Sequence, residues 1–282
     1  MKTAVIILSF NRPHYLKQVV DSLLKQTQKD FDYWLFQDGI VNKFSWRVSA
    51  NQEDVDKCIE IFTDAFPSGK VEHSKSNIGI ALNWQRAEEK IFLDEEYEQA
   101  IFLEDDLVLS SSYMETMNNL FEQFGDDSRI SFFNAYGERM KFEGSSTTIK
   151  KMEHVWGVGM VRKQWLERYP SMLEFYNIVG SSDYRMRPFE KIAEFYAKRG
   201  IKSSVALGQD GCKCGIALLH NQIKISPCVN LAKYIGKEGF HSNAAHYEKN
   251  KFEHFPIIDK PVKNFNINYD EIEKRLRGIY LQ

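Results

Sequence analysis

Gln99-Ala-Ile-Phe-Leu-Glu-Asp-Asp106 (QAIFLEDD) is the stretch that decides the fold. An apolar run of strand length ends abruptly in three adjacent acids, Glu104, Asp105 and Asp106. Three neighbouring carboxylates repel each other, and a folded chain keeps them together most simply when a cation or water neutralises them. Hard oxygen ligands of this kind suit Mg²⁺ or Mn²⁺, which commonly bridge a few protein carboxylates and substrate phosphates. The plain alternative is an acidic cluster serving the dipole of the next helix. What separates the two readings is where the triplet sits in the fold.

Towards the N-terminus, strand and helix patterns alternate at short spacing. Thr3–Ser9 (TAVIILS) is a continuous β-branched run, as expected of a strand covered on both faces. Asn11 and Pro13 then open a helix as cap and first-turn residue, with Leu16, Val20, Leu23 and Leu24 on one stripe. Tyr33–Gln37 is strand two, ended by the Asp38-Gly39 turn. Val55, Ile59 and Phe62 mark a helix and Lys70–His73 a third strand. Ser76-Asn77-Ile78-Gly79 feeds a helix with Leu82, Ala87 and Ile91, which returns the chain to the acidic strand. Downstream, Ser110–Ser112 can cap a helix and Ile130–Phe133 is another strand.

This alternation implies right-handed crossovers and an α/β fold with a mainly parallel, Rossmann-like sheet flanked by helices. In such sheets ligands bind beyond the carboxyl ends of the strands. Ser9, Arg12, Asp38, Asn77 and Glu104–Asp106 all follow a strand or stand on a strand-to-helix loop, so polar groups far apart in sequence converge on one rim. Asp38 can accept bonds from a ribose or base, or simply form its turn. Arg12 can hold a base or phosphate, or be a solvated first-turn arginine. The Asn77 loop can offer backbone donors to a nucleotide, or be only a turn.

The second half is less regular. His154–Val161 reads as a glycine-interrupted strand, Gly180–Arg187 as loop, Asp210–Gln222 as a helix capped by Asp210, and Ile223–Cys228 as a strand. Gly236–Gly239 is a tight turn before His241, whose imidazole can ligate Mn²⁺ or lie free at the surface. Asn268 opens a capping box with Glu271, followed by a helix with Ile272, Leu276, Ile279 and Tyr280 on one face. Lys274, Arg275 and Arg277 beside that stripe suit contact with an anionic membrane. The alternatives are docking on the helix's own domain or on a second subunit of a homodimer.

Composition narrows the field. The chain has 282 residues, and its 37 basic against 39 acidic side chains leave a net charge of −2, which excludes a nucleic-acid footprint as the main function. Its 4 cysteines are too few over this length for a disulfide framework. Cys212-x-Cys214 lacks the paired clusters of a zinc site. The N-terminal run has no small-residue cleavage site after it, and no stretch of about 18 apolar residues occurs. A cytoplasmic protein, at most peripheral to the inner face of a membrane, is expected.

At this point the residues resemble a known family. TAVIILSFNRPHYLKQVVDSLLKQ, FQDG, SNIGIALNWQRA and IFLEDDLVLSSSYMETM look like a GT-A-fold glycosyltransferase, family 2-like in the N-terminal half, with the acidic triplet in place of the Asp-x-Asp motif. The overall likeness is to the N-acetylglucosaminyltransferase I family. In the second half HVWGVGMVRKQWLERY resembles its glycine-rich strand and helix, GQDGCKC its acidic catalytic segment, and NLAKYIGKEGFHSN its C-terminal loop. Where that family has a tryptophan-acid-acid segment, this chain has Gly208-Gln209-Asp210.

The resemblance implies an inverting transferase that moves a sugar, N-acetylglucosamine first, from a UDP-sugar to a hydroxyl of a glycan or lipid-linked sugar acceptor, with Mn²⁺ or Mg²⁺. By motif position Arg12 and Asp38 would contact uridine, Ser9 and Asn77 would line the nucleotide-sugar site, and Glu104 and Asp105 would support ribose and metal water. Asp106 would bind the metal, with His241 near it. Asp210 would be the general base, with Asp183 as competitor. The division implied is a nucleotide-sugar-binding half over 1–135, an acceptor-binding and catalytic half of the same domain over 136–250, and a tail with an amphipathic helix over 251–282. A sugar-nucleotide nucleotidyltransferase would want a glycine-rich, basic loop after strand one, which LSFNRPHY lacks. A non-catalytic sugar-nucleotide-binding module is the third possibility, against which the intact triplet and Asp210 count.

Overall fold

The computed structural model describes residues 2–137, 144, 146–202, 204–205, 207–239 and 244–282. The N-terminal half runs β1 (Thr3–Ser9), α1 (Pro13–Leu24), β2 (Phe31–Gln37), α2 (Gln52–Ala65), β3 (Lys70–His73), α3 (Gly79–Glu89) and β4 (Gln99–Glu104). It continues through β5 (Leu107–Leu109), α4 (Tyr113–Phe124) and β6 (Ile130–Asn134). The second half adds β7 (Ser146–Lys151), β8 (Val158–Val161), α5 (Arg162–Val179), α6 (Phe189–Ala197) and α7 (Gln209–Leu219). It closes with β9 (Ile223–Pro227), β10 (Ala232–Tyr234), α8 (Ala244–Lys249), β11 (Asn264–Asn266) and α9 (Tyr269–Tyr280).

Among the described residues, nine strands form one mixed sheet in the order β11-β7-β9-β6-β8-β4-β1-β2-β3. β1 lies parallel between β2 and β4, with Ile6 opposite both Trp34 and Phe102. β2 pairs parallel with β3, and β6 with β9. β8 is inserted antiparallel between β4 and β6. This is the α/β, mainly parallel architecture expected from the sequence. Every residue of β1 is buried, because helices cover both faces. Val5, Ile7, Leu35, Ile101 and Leu103 join the core under α1, α2 and α4. Ala4, Ile6, Leu8, Trp34, Phe36 and Phe102 join the one under α3 and α5. The two-residue period of a strand assigns the sides.

Several local expectations change. Asn11 does not cap α1: the cap position is Arg12, whose side chain makes no capping bond, while Pro13 occupies the first turn as expected. Ser112 stands at the cap of α4 without a side-chain bond; the Gln26 side chain, reaching from beyond α1, accepts from the Met114 amide instead (2.9 Å). Asp210 is not the cap of α7, because Gly208 takes that place and the helix stops at Leu219. Of His154–Val161 only Val158–Val161 is strand, since Gly157 turns to φ +62° and its carbonyl accepts from the Tyr113 hydroxyl. The Asn268 cap holds, accepting from Glu271 N at 3.2 Å.

α9 lays Ile272 and Leu276 into the core against α7, β7 and β9. Half of the expected stripe is therefore covered by the chain's own domain, while Ile279 stays 44% exposed. Among the described residues no helix is long and apolar enough to cross a membrane.

Candidate active site

The ends of β1, β2 and β4 bring the expected rim together. Arg12, just past β1, reaches across to the acids after β4. Its Nη1 lies 2.8 Å from Asp106 Oδ2, and its Nη2 pairs with Asp105 Oδ1. Burial disfavours the guanidinium charge, but the carboxylates of Asp105 and Asp106 outweigh that and hold it more firmly protonated than an ordinary arginine. Arg12 Nη1 also donates to the Glu238 carbonyl (3.0 Å), so one side chain joins both halves of the chain.

The 235–239 loop is fastened over the acids. Ile235 N donates to the Asp106 carbonyl (2.9 Å), and the amides of Lys237 and Glu238 donate to the Tyr15 hydroxyl at 3.1 and 3.2 Å. A Cβ on Gly236 would stand 2.5 Å from Asp106 Oδ2 and 2.4 Å from the Tyr234 hydroxyl. Only glycine lets the backbone pass so close to the carboxylate. β10 sets this loop in place by pairing with β5, directly after the acidic triplet.

Asp38 and Asn77 are on the rim but are occupied. The Asp38 carboxylate accepts from the amides of Gly39, Ile78 and Gly79 (2.8, 2.9 and 2.9 Å) and from Asn77 Nδ2 (3.1 Å). Those four donors use a carboxylate's acceptor capacity, even though burial pushes its pKa up to about 6. Asn77 also donates to the Gly39 carbonyl (3.0 Å). Asp38 thus ties the end of β2 to the start of α3, and Ser9 is tied in the same way, its carbonyl accepting from Asp38 N (2.9 Å).

Across the cleft lie the groups from the second half. Asp210, in the first turn of α7, accepts no hydrogen bond from the described residues. Its side chain is open to solvent yet ringed by protein, as at the floor of a cleft. Burial raises its pKa, while the charges of Lys213 and Lys224 pull it back. Glu104 is pushed well above the usual carboxylate range, first by burial and then by Asp106 and Asp210. Asp210, more than a hundred positions further along the chain, is thus close enough for its charge to act on Glu104. Asp183, the other base candidate, is buried and engaged. It accepts from Ser45 Oγ (2.5 Å) and Arg185 N (2.8 Å) and lies 3.7 Å from Arg47 Nη1. Burial opposes its ionisation, but these partners prevail and lower its pKa.

Sequence reasoning missed three contributors. Arg187 stacks its guanidinium 4.0 Å over Tyr184, with Nε and Nη1 buried and without hydrogen-bond partners. Burial chiefly raises the Tyr184 pKa, and the charges of Asp210 and Glu104 add to it. Tyr184 in turn packs on Gly79, where φ is +77° and a Cβ would meet Tyr184 Cβ at 2.6 Å. Beneath Asp210, Lys213 forms a fully buried ion pair with Glu88 (2.8 Å), and Trp84 Nε1 donates to the same Glu88 oxygen (3.0 Å). No motif announces these residues, because each acts from a helix interior or an irregular loop.

A divalent cation fits this corner in part. Asp106 Oδ1 is buried with no partner, a hard oxygen left for a cation, while Arg12 already neutralises the other oxygen. Among the described residues no group of three ligating side chains converges. Mg²⁺-type ions commonly take one or two carboxylates and complete their shell from substrate phosphates and water. The expected ligand His241 lies outside the described residues.

No family model and no curated protein matches the chain. Among solved structures it is similar to S. aureus TarS 1-349 in complex with UDP-GlcNAc, at 13% identity and TM-score 0.49, over 86% of this chain and 60% of that one. The same protein in complex with UDP gives 12% and 0.46, over 78% and 70%. GalNAc-T7 with UDP, GalNAc and Mn²⁺ gives 14% and 0.37, over 56% and 25%. With every TM-score below 0.5, the functional reading stands on the cleft itself.

Proposed function

We propose that this chain is a metal-dependent, inverting glycosyltransferase of the GT-A type, which moves a hexose, N-acetylglucosamine first, from a UDP-sugar to an acceptor hydroxyl. One observation carries the reading. An exposed carboxylate, Asp210, lies near enough to the acidic cluster to raise the Glu104 pKa, and that cluster retains one buried, partnerless oxygen, Asp106 Oδ1. In single displacement the attacking hydroxyl needs one base within hydrogen-bond reach, and the departing diphosphate needs positive charge where its own charge develops. Asp210 serves as the base, and burial raises its pKa, which makes the carboxylate a stronger acceptor of an alcohol's proton. The engaged Asp183 instead braces its loop. No protein nucleophile is required.

Asp106, with His241 from the loop, would hold the cation, which when bound supplies Lewis-acid stabilisation to the diphosphate. Arg187, with its two partnerless nitrogens, is placed to bind phosphate oxygens. Arg12 pairs with Asp105 and Asp106 and fastens the Glu238 loop, so that loop can exclude water from the donor. Asp38, Asn77 and Ser9 shape the nucleotide rim through the backbone they hold.

The test is calorimetry with UDP, with and without Mn²⁺, beside UDP release from UDP-N-acetylglucosamine and candidate acceptors. Asp210→Asn should bind UDP as the parent does and lose turnover by roughly a hundredfold or more. Asp106→Asn should lose the Mn²⁺-dependent part of UDP affinity. Parent-like turnover in both variants defeats the proposal.

A further inference from the structure

The chain between β2 and α2 is not an idle loop. Val41 and Val48 bridge antiparallel, Asn42 N donates to the Arg47 carbonyl (3.0 Å), and Ser49 N donates to the Ile40 carbonyl (3.0 Å). The result is a small hairpin with Lys43-Phe44-Ser45-Trp46 at its tip. The buried Asn42 side chain holds that tip, its Oδ1 accepting from the amides of Phe44 (2.9 Å) and Ser45 (3.1 Å). Trp46 itself adopts φ +56°, a conformation uncommon for a bulky side chain. Its ring is nevertheless 77% exposed, with Val48 at 67% and Phe44 at 45%. Backbone strain and three exposed apolar side chains on one ordered tip are costs that folding alone does not explain.

A second segment extends the surface. Ser45 Oγ and Arg47 both meet Asp183, which also caps the short turn carrying Arg185 and Met186. Met186 is 64% and Phe189 48% exposed. The two segments, residues 40–49 and 183–191, carry Lys43, Arg47, Arg185, Arg187 and Lys191 against the acids Asp183, which pairs with Arg47, and Glu190. The whole chain is net negative, so this patch has the opposite sign to the rest. Tryptophan and phenylalanine flanked by lysine and arginine are the side chains that settle at a bilayer interface. Each basic residue near an anionic leaflet adds about 1 kcal/mol. A projecting tip also suits insertion between headgroups, whereas a protein partner would have to supply a pocket for it.

We propose that the 41–48 hairpin and the adjoining 185–189 segment form a docking surface for an anionic lipid bilayer. Phe44 and Trp46 enter the headgroup region, and the basic side chains face the lipid phosphates. The hairpin leaves the carboxyl end of β2, so a docked molecule holds the rim of the cleft at the membrane. The surface borders the proposed transfer site at Asp183 and Arg187 but is argued without it, and its test involves no turnover.

The experiment is co-sedimentation of the full chain with vesicles of phosphatidylglycerol and phosphatidylcholine in equal parts, and with phosphatidylcholine alone, across a salt series. Sedimentation velocity is run without lipid. Binding is expected to anionic vesicles only and to weaken with salt. Trp46→Asn suits the left-handed backbone and so preserves the hairpin; it should weaken partitioning roughly tenfold or more. Lys43→Glu with Arg185→Glu should abolish binding. No sedimentation with anionic vesicles at low salt overturns the proposal, as does unchanged binding by Trp46→Asn. A lipid-free dimer that Trp46→Asn dissociates assigns the patch to a second copy and overturns it equally.

Discussion

Asp210 and Asp183 carry the same side chain, and only their company separates the proposed base from the engaged acid. The sequence could name both through the family resemblance of GQDGCKC and its surroundings, but not that Ser45 and Arg47 close on one of them. It could not show Glu88 and Lys213 either, since a charged residue inside a helical pattern reads as a solvated face until its partner is known. Both members of that pair are buried. Removing one leaves the other uncompensated, so Lys213→Met should cost about 3–5 kcal/mol in urea unfolding, and Lys213→Met with Glu88→Met should recover most of it. The pair also touches chemistry, because the Lys213 charge lowers the Asp210 pKa. Transfer needs Asp210 ionised, so its rate falls as pH drops through a value above the usual aspartate pKa of about 4. In the double variant, with that positive charge gone, the acid limb of the pH–rate profile should move to higher pH. An unmoved limb would take Asp210 out of the base role.

Elements with strong periodicity were legible and those defined by partners were not. β1 and the core of α1 follow directly from apolar spacing, and the rim follows from the ends of β1, β2 and β4. β5 and β10 are too short to show a period and exist because they pair with each other. Arg12 was recognised as a rim residue, but its embrace of Asp105 and Asp106 needed the fold. α9 combines both cases: its cap and stripe are in the sequence, while its anchor is not. The Tyr269 hydroxyl donates to Asp127 Oδ2 (2.6 Å), and Arg129 chelates the same carboxylate. The Arg129 bond is the chief reason the Asp127 pKa falls to about 2. A lowered folded-state pKa means stabilisation that is fully present above about pH 4 and lost as pH falls towards about 2. Amide exchange in α9 should therefore accelerate over that window, and Asp127→Asn should show fast exchange already at neutral pH. Exchange in α9 that ignores pH over this range would remove Asp127 as the anchor.

At the scale of the whole molecule, chain order and sheet order disagree in a way that binds the two halves. Residues 1–135 contain β1 to β6, but β8 from the second half stands between β4 and β6. Without it, β4 exposes its open edge and β6 has no neighbour, since its other partner is β9. The cores agree: one cluster joins Leu103 and Met117 to Ile225 and Leu276, and the other joins Trp84 and Phe102 to Trp165 and Ile216. Arg12 and Tyr15 add polar ties to the 237–238 backbone. The two halves of the chain then share one sheet and two cores, so they should form one cooperative unit and the proposed site should be built only when both are folded. A fragment of residues 1–135 should lack a cooperative urea transition and aggregate through the bare β4 edge, whereas the full chain should unfold in one transition that coincides by circular dichroism and tryptophan fluorescence. A fragment that folds alone and binds UDP with the affinity of the whole would show that the donor rim needs nothing from the second half, contrary to the Arg12–Glu238 tie and the inserted strand.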